Sequence, residues 1–165
     1  MKNSVPLTTR PSHLVGCLRW ILVLFLLFPW LAGLGPATAD TGIIAVNSTD
    51  DVKQNDGQCT LREAILAANS DKRSGTKPGE CPAGSGADTI LLAPGTYALS
   101  LSDRGNEDAA ETGDLDVLDD LIIRRYDPGR TIVDASAIAD RAFHILGGNV
   151  EIHGVTTVSY THLRA

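Results

Sequence analysis

Eight carboxylates crowd the stretch from Asp103 to Asp120: Asp103, Glu107, Asp108, Glu111, Asp114, Asp116, Asp119 and Asp120. Carboxylates at that density can collect a divalent cation, or act as acid and base across one bond. Asp114 and Asp116 alternate with Leu115 and Val117, so an extended backbone points both to one face, and Asp119 and Asp120 follow in a turn. These four are the candidate calcium ligands, since calcium takes about six to eight oxygens. Their spacing fits neither an EF-hand nor a glycine-aspartate nonapeptide repeat, so calcium is the only cofactor considered and a solvated acidic loop is the plainer reading.

No nucleophile stands out. The chain has neither a Gly-x-Ser-x-Gly elbow nor a His-Glu-x-x-His zinc motif. Gly84-Ser85-Gly86 lacks the spacing of a phosphate loop and reads as a hinge. His144 lies between Phe143 and Ile145, and His153 follows Ile152, so both are expected to face outward as solvated strand residues. Tyr97, Tyr126 and Phe143 are too scattered to form a sugar-stacking platform, and Asn47-Ser48-Thr49 matches a glycosylation sequon. No residue is assigned a catalytic role.

The first 39 residues read as an export signal. Lys2, Arg10 and Arg19 precede an uncharged apolar run from Trp20 to Gly35, and Ala37-Thr38-Ala39 offers a small-x-small cleavage site between Ala39 and Asp40. As a helix that run would reach about 24 Å, short of the roughly 30 Å hydrocarbon core, so a membrane is met only through an uncleaved signal. Leu14-Val15-Gly16-Cys17 resembles a lipoprotein box but precedes the apolar run instead of following it. Cleavage leaves 11 Lys and Arg against 20 Asp and Glu, a balance that argues against nucleic acid as a partner. Of three cysteines Cys17 leaves with the signal, and an even pair in an exported chain, Cys59 and Cys81, is most simply a disulfide. Two lone cysteines without a paired motif are not a zinc site.

The elements that must position these groups are legible in outline. Thr60 and Glu63 have the spacing of a capping box, and Leu61, Ala64, Ile65 and Ala68 make one apolar stripe, which predicts a helix over 60–69 with Asn69 as its stop. Arg62 is expected to be an exposed charge, with a partner role to a backbone carbonyl at the cap edge as the alternative. From Ala87 onward short β-branched and leucine-rich runs are predicted strands: Thr89 to Leu92, Thr96 to Leu101, Leu115 to Val117, Leu121 to Ile123, Thr131 to Val133, Ala142 to Leu146 and Val150 to Ile152. Gly, Pro and Asp turns separate them. An offset of 22 residues aligns Leu99 with Leu121 and Phe143, Leu101 with Ile123 and Ile145, and Val133 with Val155. A repeat near that length predicts a stacked solenoid, with an evenly spaced sandwich as the alternative.

Several blocks in order carry a resemblance. Val46-Asn47-Ser48-Thr49, Asp56 to Ile65 with Ala67-Ala68-Asn69, Gly86 to Ile90 with Pro94-Gly95-Thr96-Tyr97, and Gly113-Asp114-Leu115-Asp116 resemble the CSLREA-domain proteins, over about Ile43 to Thr156. Thr60 stands where that family has Ser, which keeps the hydroxyl a cap needs. The resemblance implies a bacterial exported or surface protein with a right-handed parallel β-helix of pectin-lyase-like architecture and a short N-terminal capping helix. It implies no molecular function.

The expected organisation is a signal peptide over 1–39, a cap over 40–85 with the motif helix and disulfide loop, incomplete β-helix rungs over 86–157, and a foreign tail over 158–165 that marks a truncated fragment. The expected protein is secreted or held at the bacterial cell surface and contacts glycan or extracellular matrix. A fragment of a polysaccharide lyase or glycoside hydrolase is the alternative, using Asp114 and Asp116 with calcium. A structural stalk is the third.

Overall fold

The computed structural model describes residues 42–102, 107–138 and 140–159. The expected signal, its cleavage site at Ala39 and Asp40, Cys17, Asp103 and all of the tail beyond Ser159 lie outside the described residues. Among the described residues nine short strands and one helix follow in the order β1 (Ile43–Ala45), α1 (Leu61–Ser70), β2 (Asp88–Leu92), β3 (Gly95–Ala98), β4 (Leu115–Val117), β5 (Leu121–Arg125), β6 (Thr131–Asp134), β7 (Phe143–Ile145), β8 (Val150–His153) and β9 (Val155–Val158). No helix among the described residues is long and apolar enough to cross a membrane.

Every strand pairing is parallel. The strands form three small sheets, β1-β2-β5-β8, β3-β6-β9 and β4-β7, stacked in a repeating pattern consistent with a parallel β-solenoid. Seven strands fall where the β-branched runs predicted them, within a few residues. The expected 22-residue offset does not describe the stacking. Asp88 pairs with Leu121 and Leu121 with Val150, while Thr131 pairs with Val155, so each rung advances by a different and mostly longer step. Loops of unequal length absorb the variation, because only the strands must keep register. Val158 closes β9 against Asp134, so the repeat runs one residue into the expected tail.

The register lines up like with like inside the stack. Ile44, Ile90, Ile123 and Ile152 form one ladder through the first sheet, the first three fully buried and Ile152 38% exposed. Leu115 faces Phe143, and Val117, fully buried, faces Ile145, which is 47% exposed. Ladders of identical apolar side chains bury one continuous core as rungs are added, and the outermost rung keeps one face bare.

Helix α1 packs on β4, β2 and β1. Its start is as predicted: the Glu63 N–H donates to Thr60 Oγ1 at 3.2 Å and the Thr60 N–H donates to Glu63 Oε2 at 3.0 Å. Glu63 Oε1 also accepts the Gln54 N–H at 2.9 Å. The stripe Leu61, Ala64, Ile65 and Ala68 is buried in the common core. The stop differs. Asn69 lies within the helix, and Asp71 takes the left-handed cap at φ 53° and ψ 34°, because the Asn69 side chain is engaged elsewhere.

Cys59 and Cys81 are bridged, with Cα atoms 4.7 Å apart and both side chains buried. The loop they close is pinned from within. Glu80 is buried, and its carboxylate accepts the Gly57 N–H at 2.7 Å and the Ser74 hydroxyl at 2.9 Å. Gly79, at φ 96°, brings its backbone so near Gly57 that an added Cβ would lie 2.1 Å from the Gly57 oxygen. Only glycine fits there.

Candidate functional site

Arg62 is not an exposed charge. It is 1% exposed, and its five N–H donors meet five acceptors. Nε and Nη2 reach the two oxygens of Asp51 at 2.6 and 3.2 Å, Nη1 reaches the carbonyls of Ala110 and Asp114 at 3.1 and 3.3 Å, and Nη2 also reaches Gly113 O at 2.7 Å. Asp51 Oδ2 in turn accepts the Ser100 and Leu101 N–H groups. Burial alone would raise the Asp51 carboxyl, but the Arg62 hydrogen bond and those two N–H groups outweigh it and hold it below its usual range.

Seven residues along the same helix, Asn69 stands at the free edge of β4. Its Nδ2 donates to Asp116 O at 2.8 Å and its Oδ1 accepts the Leu118 N–H at 3.0 Å. Those are the two edge groups a further parallel strand would engage beside Val117. The motif helix therefore supplies side-chain groups where a preceding rung would supply backbone.

The expected calcium quartet does not converge. Asp119 Oδ1 accepts the Asp120 N–H, and Asp120 Oδ1 accepts the Asn149 N–H at 2.7 Å and Asn149 Nδ2 at 3.3 Å, binding one turn to the turn stacked on it. Asp114 is salt-bridged to Arg141. Asp116 is fully buried and faces His144, its register partner one rung on, with Asp116 Oδ1 and His144 Nδ1 3.0 Å apart. Asp116 Oδ2 accepts the Ala110 N–H at 2.8 Å. Burial pushes the Asp116 carboxyl above its usual value, and the Asp114 and Glu107 charges add to that against the pull of the Ala110 N–H and His144.

Asp108 joins this pair from the acidic loop, its Oδ1 3.7 Å from His144 Nδ1. Among the described residues Asp108, Asp116 and His144 are the group whose ligand atoms converge, all within 4.8 Å of one another. His144 is therefore half-buried and engaged rather than solvated, whereas His153 is exposed and paired with Glu151. Asp116 was within reach of the sequence through its alternation. His144 was not, because the pairing of β4 with β7 brings it there, and nothing local sets Asp108 apart from the rest of the acidic loop.

A second feature is an open groove of about 590 Å³ alongside α1. Lys53, Lys72 and Arg73 line it together with Glu63 and Glu111, and Leu66 and the 44% exposed Leu118 give it apolar surface. Lys53 pairs with Glu111. Lys72 and Arg73 carry no ion pair among the described residues.

Compared with known proteins, the chain matches no family model, no curated protein and no solved structure.

Proposed function

We propose that the chain is an exported surface protein of the CSLREA kind, a right-handed parallel β-helix that contacts acidic glycan or matrix polysaccharide through the groove beside α1. The observation that carries this reading is the gathering of Lys53, Lys72 and Arg73 around an open groove with an apolar strip, in a chain with six more acidic than basic residues. A uronate or sulfate-bearing sugar presents both a negative group for those cations and an apolar ring face for Leu66 and Leu118. The Cys59–Cys81 bridge supports an oxidising compartment. The parallel stack supports the solenoid, and the helix with its buried Arg62 supports a capping role for the motif.

The test is retention of the protein on immobilised acidic and neutral polysaccharides at about 0.15 M salt. Acidic polymers should retain it, salt should release it, and Lys72→Glu with Arg73→Glu should weaken retention at least tenfold. Equal retention of the variant would overturn the groove as the contact. Release of unsaturated or shortened sugars would replace this reading with a lyase or hydrolase, and retention on no polymer would leave a stalk.

A further inference from the structure

We propose that Asp108, Asp116 and His144 together hold a divalent cation of the zinc class, in a site separate from the groove. The three groups come from three places, the acidic loop and two strands of consecutive rungs, and Asp116 and His144 are set opposite one another by the β4–β7 register. Zinc bonds to nitrogen and oxygen of about 2.0–2.2 Å place tetrahedral ligand atoms about 3.3 Å apart. His144 Nδ1 lies 3.0 Å from Asp116 Oδ1 and 3.7 Å from Asp108 Oδ1, on either side of that spacing.

An imidazolium at His144 would account for the first distance and would also attract Asp108. That carboxylate is 67% exposed, yet its oxygen turns to within 4.8 Å of a fully buried carboxylate of the same charge. Water would hold an exposed acid better than a like-charged neighbour does. Arg141, which also feels the Asp116 charge, is engaged by Asp114. Two carboxylates and a neutral imidazole around a divalent ion make a site with no net charge, whereas a single proton between Asp116 and His144 leaves one negative charge uncompensated.

The surroundings have the features of a ligand set. The Ala110 N–H fixes Asp116 Oδ2, so Oδ1 alone is presented to the ion, as an outer partner commonly orients a ligating carboxylate. Three protein ligands, with Asp108 on the solvent side, leave a fourth position open to water. One imidazole nitrogen and two carboxylate oxygens suit zinc or a neighbouring transition ion, where calcium would need about six to eight oxygens.

The test is calorimetric titration of the oxidised full chain with zinc chloride, in a Cys17→Ser background so that no free thiol competes. One ion per chain is expected, and His144→Asn and Asp108→Asn should each weaken binding at least tenfold. Asp108 is exposed, so its replacement leaves the fold intact, and an unchanged circular dichroism spectrum checks this for both variants. No zinc bound, zinc bound with the same affinity in either variant, or calcium bound more tightly than zinc would each overturn the site.

Discussion

The two ends of the strand stack are finished differently. On the α1 side Asn69 takes the edge groups of Asp116 and Leu118, the Asp51–Arg62 pair takes two N–H groups and three carbonyls of the neighbouring backbone, and the helix covers Ile44, Ile90 and Leu115. On the other side β7, β8 and β9 each pair with a strand on one edge only among the described residues, and Ile145 and Ile152 occupy core ladder positions while remaining partly in water. A parallel strand offers the same unpaired row at both edges. The difference shows that an end is closed when side chains copy both jobs of a rung, its hydrogen bonds and its apolar surface.

The largest break in that contrast should come from Arg62→Ala. It leaves Asp51 charged and buried with its partner gone and three carbonyls without donors, and removing one partner of a buried pair costs about 3–5 kcal/mol. Urea denaturation of the oxidised protein measures it. A loss below about 1 kcal/mol would mean water replaces the guanidinium and the pair is not what closes this end.

Reduction of Cys59–Cys81 acts on the same end through the unfolded chain. For a bridge spanning 22 positions the chain-entropy estimate is about 3 kcal/mol. The midpoint in urea should fall on adding reductant, and should not fall further in a Cys59→Ser, Cys81→Ser variant. An unchanged midpoint would show that Glu80, Ser74 and Asn55 hold the loop without the bridge.

These two predictions also mark what the sequence disclosed. The capping box and the apolar stripe were readable because each is a short-range pattern, and the cysteine pair because only two cysteines remain once the expected signal is set aside. Most strands were readable as short-range patterns too, in β-branched runs between turn residues. Arg62 was misread because its partners lie 11 residues back and 48 to 52 residues on, beyond any local period. Asn69 was misread as a helix stop because the competing use of its amide, the β4 edge, lies 47 residues away. The rung length was misread because loops of variable length hide the register from an offset comparison. Asp116 and His144 came together only through that register.

A smaller effect compares one ladder at its two ends. Ile90→Ala removes a fully buried side chain, and such truncations cost about 2–5 kcal/mol. Ile152 is its ladder mate two rungs on and is 38% exposed, so Ile152→Ala should cost less than half as much. The difference, about 2 kcal/mol, should shrink if something covers the outer rung in solution. Equal losses at low protein concentration would remove the claim that the two ends differ in burial.

The smallest effect is one of sign, between two aspartates that serve the two sides of β4. Asp51 is held below its usual value of 3.8, so its contribution to stability is fully present above that pH and is lost as pH falls through its lower folded value. Asp116 is raised above 3.8 by burial, so its contribution is present below 3.8 and is lost as pH rises through its higher folded value. Urea midpoints from pH 3 to 7 in a chelator should therefore give difference curves of opposite slope for Asp51→Asn and Asp116→Asn. Slopes of the same sign would mean that the two carboxyls are shifted in the same direction, and would remove the contrast. Zinc sharpens the comparison, because a cation on Asp116 favours its ionised form and should turn its slope to match that of Asp51. If the slope stays as it was in chelator while zinc is bound, the ion sits elsewhere.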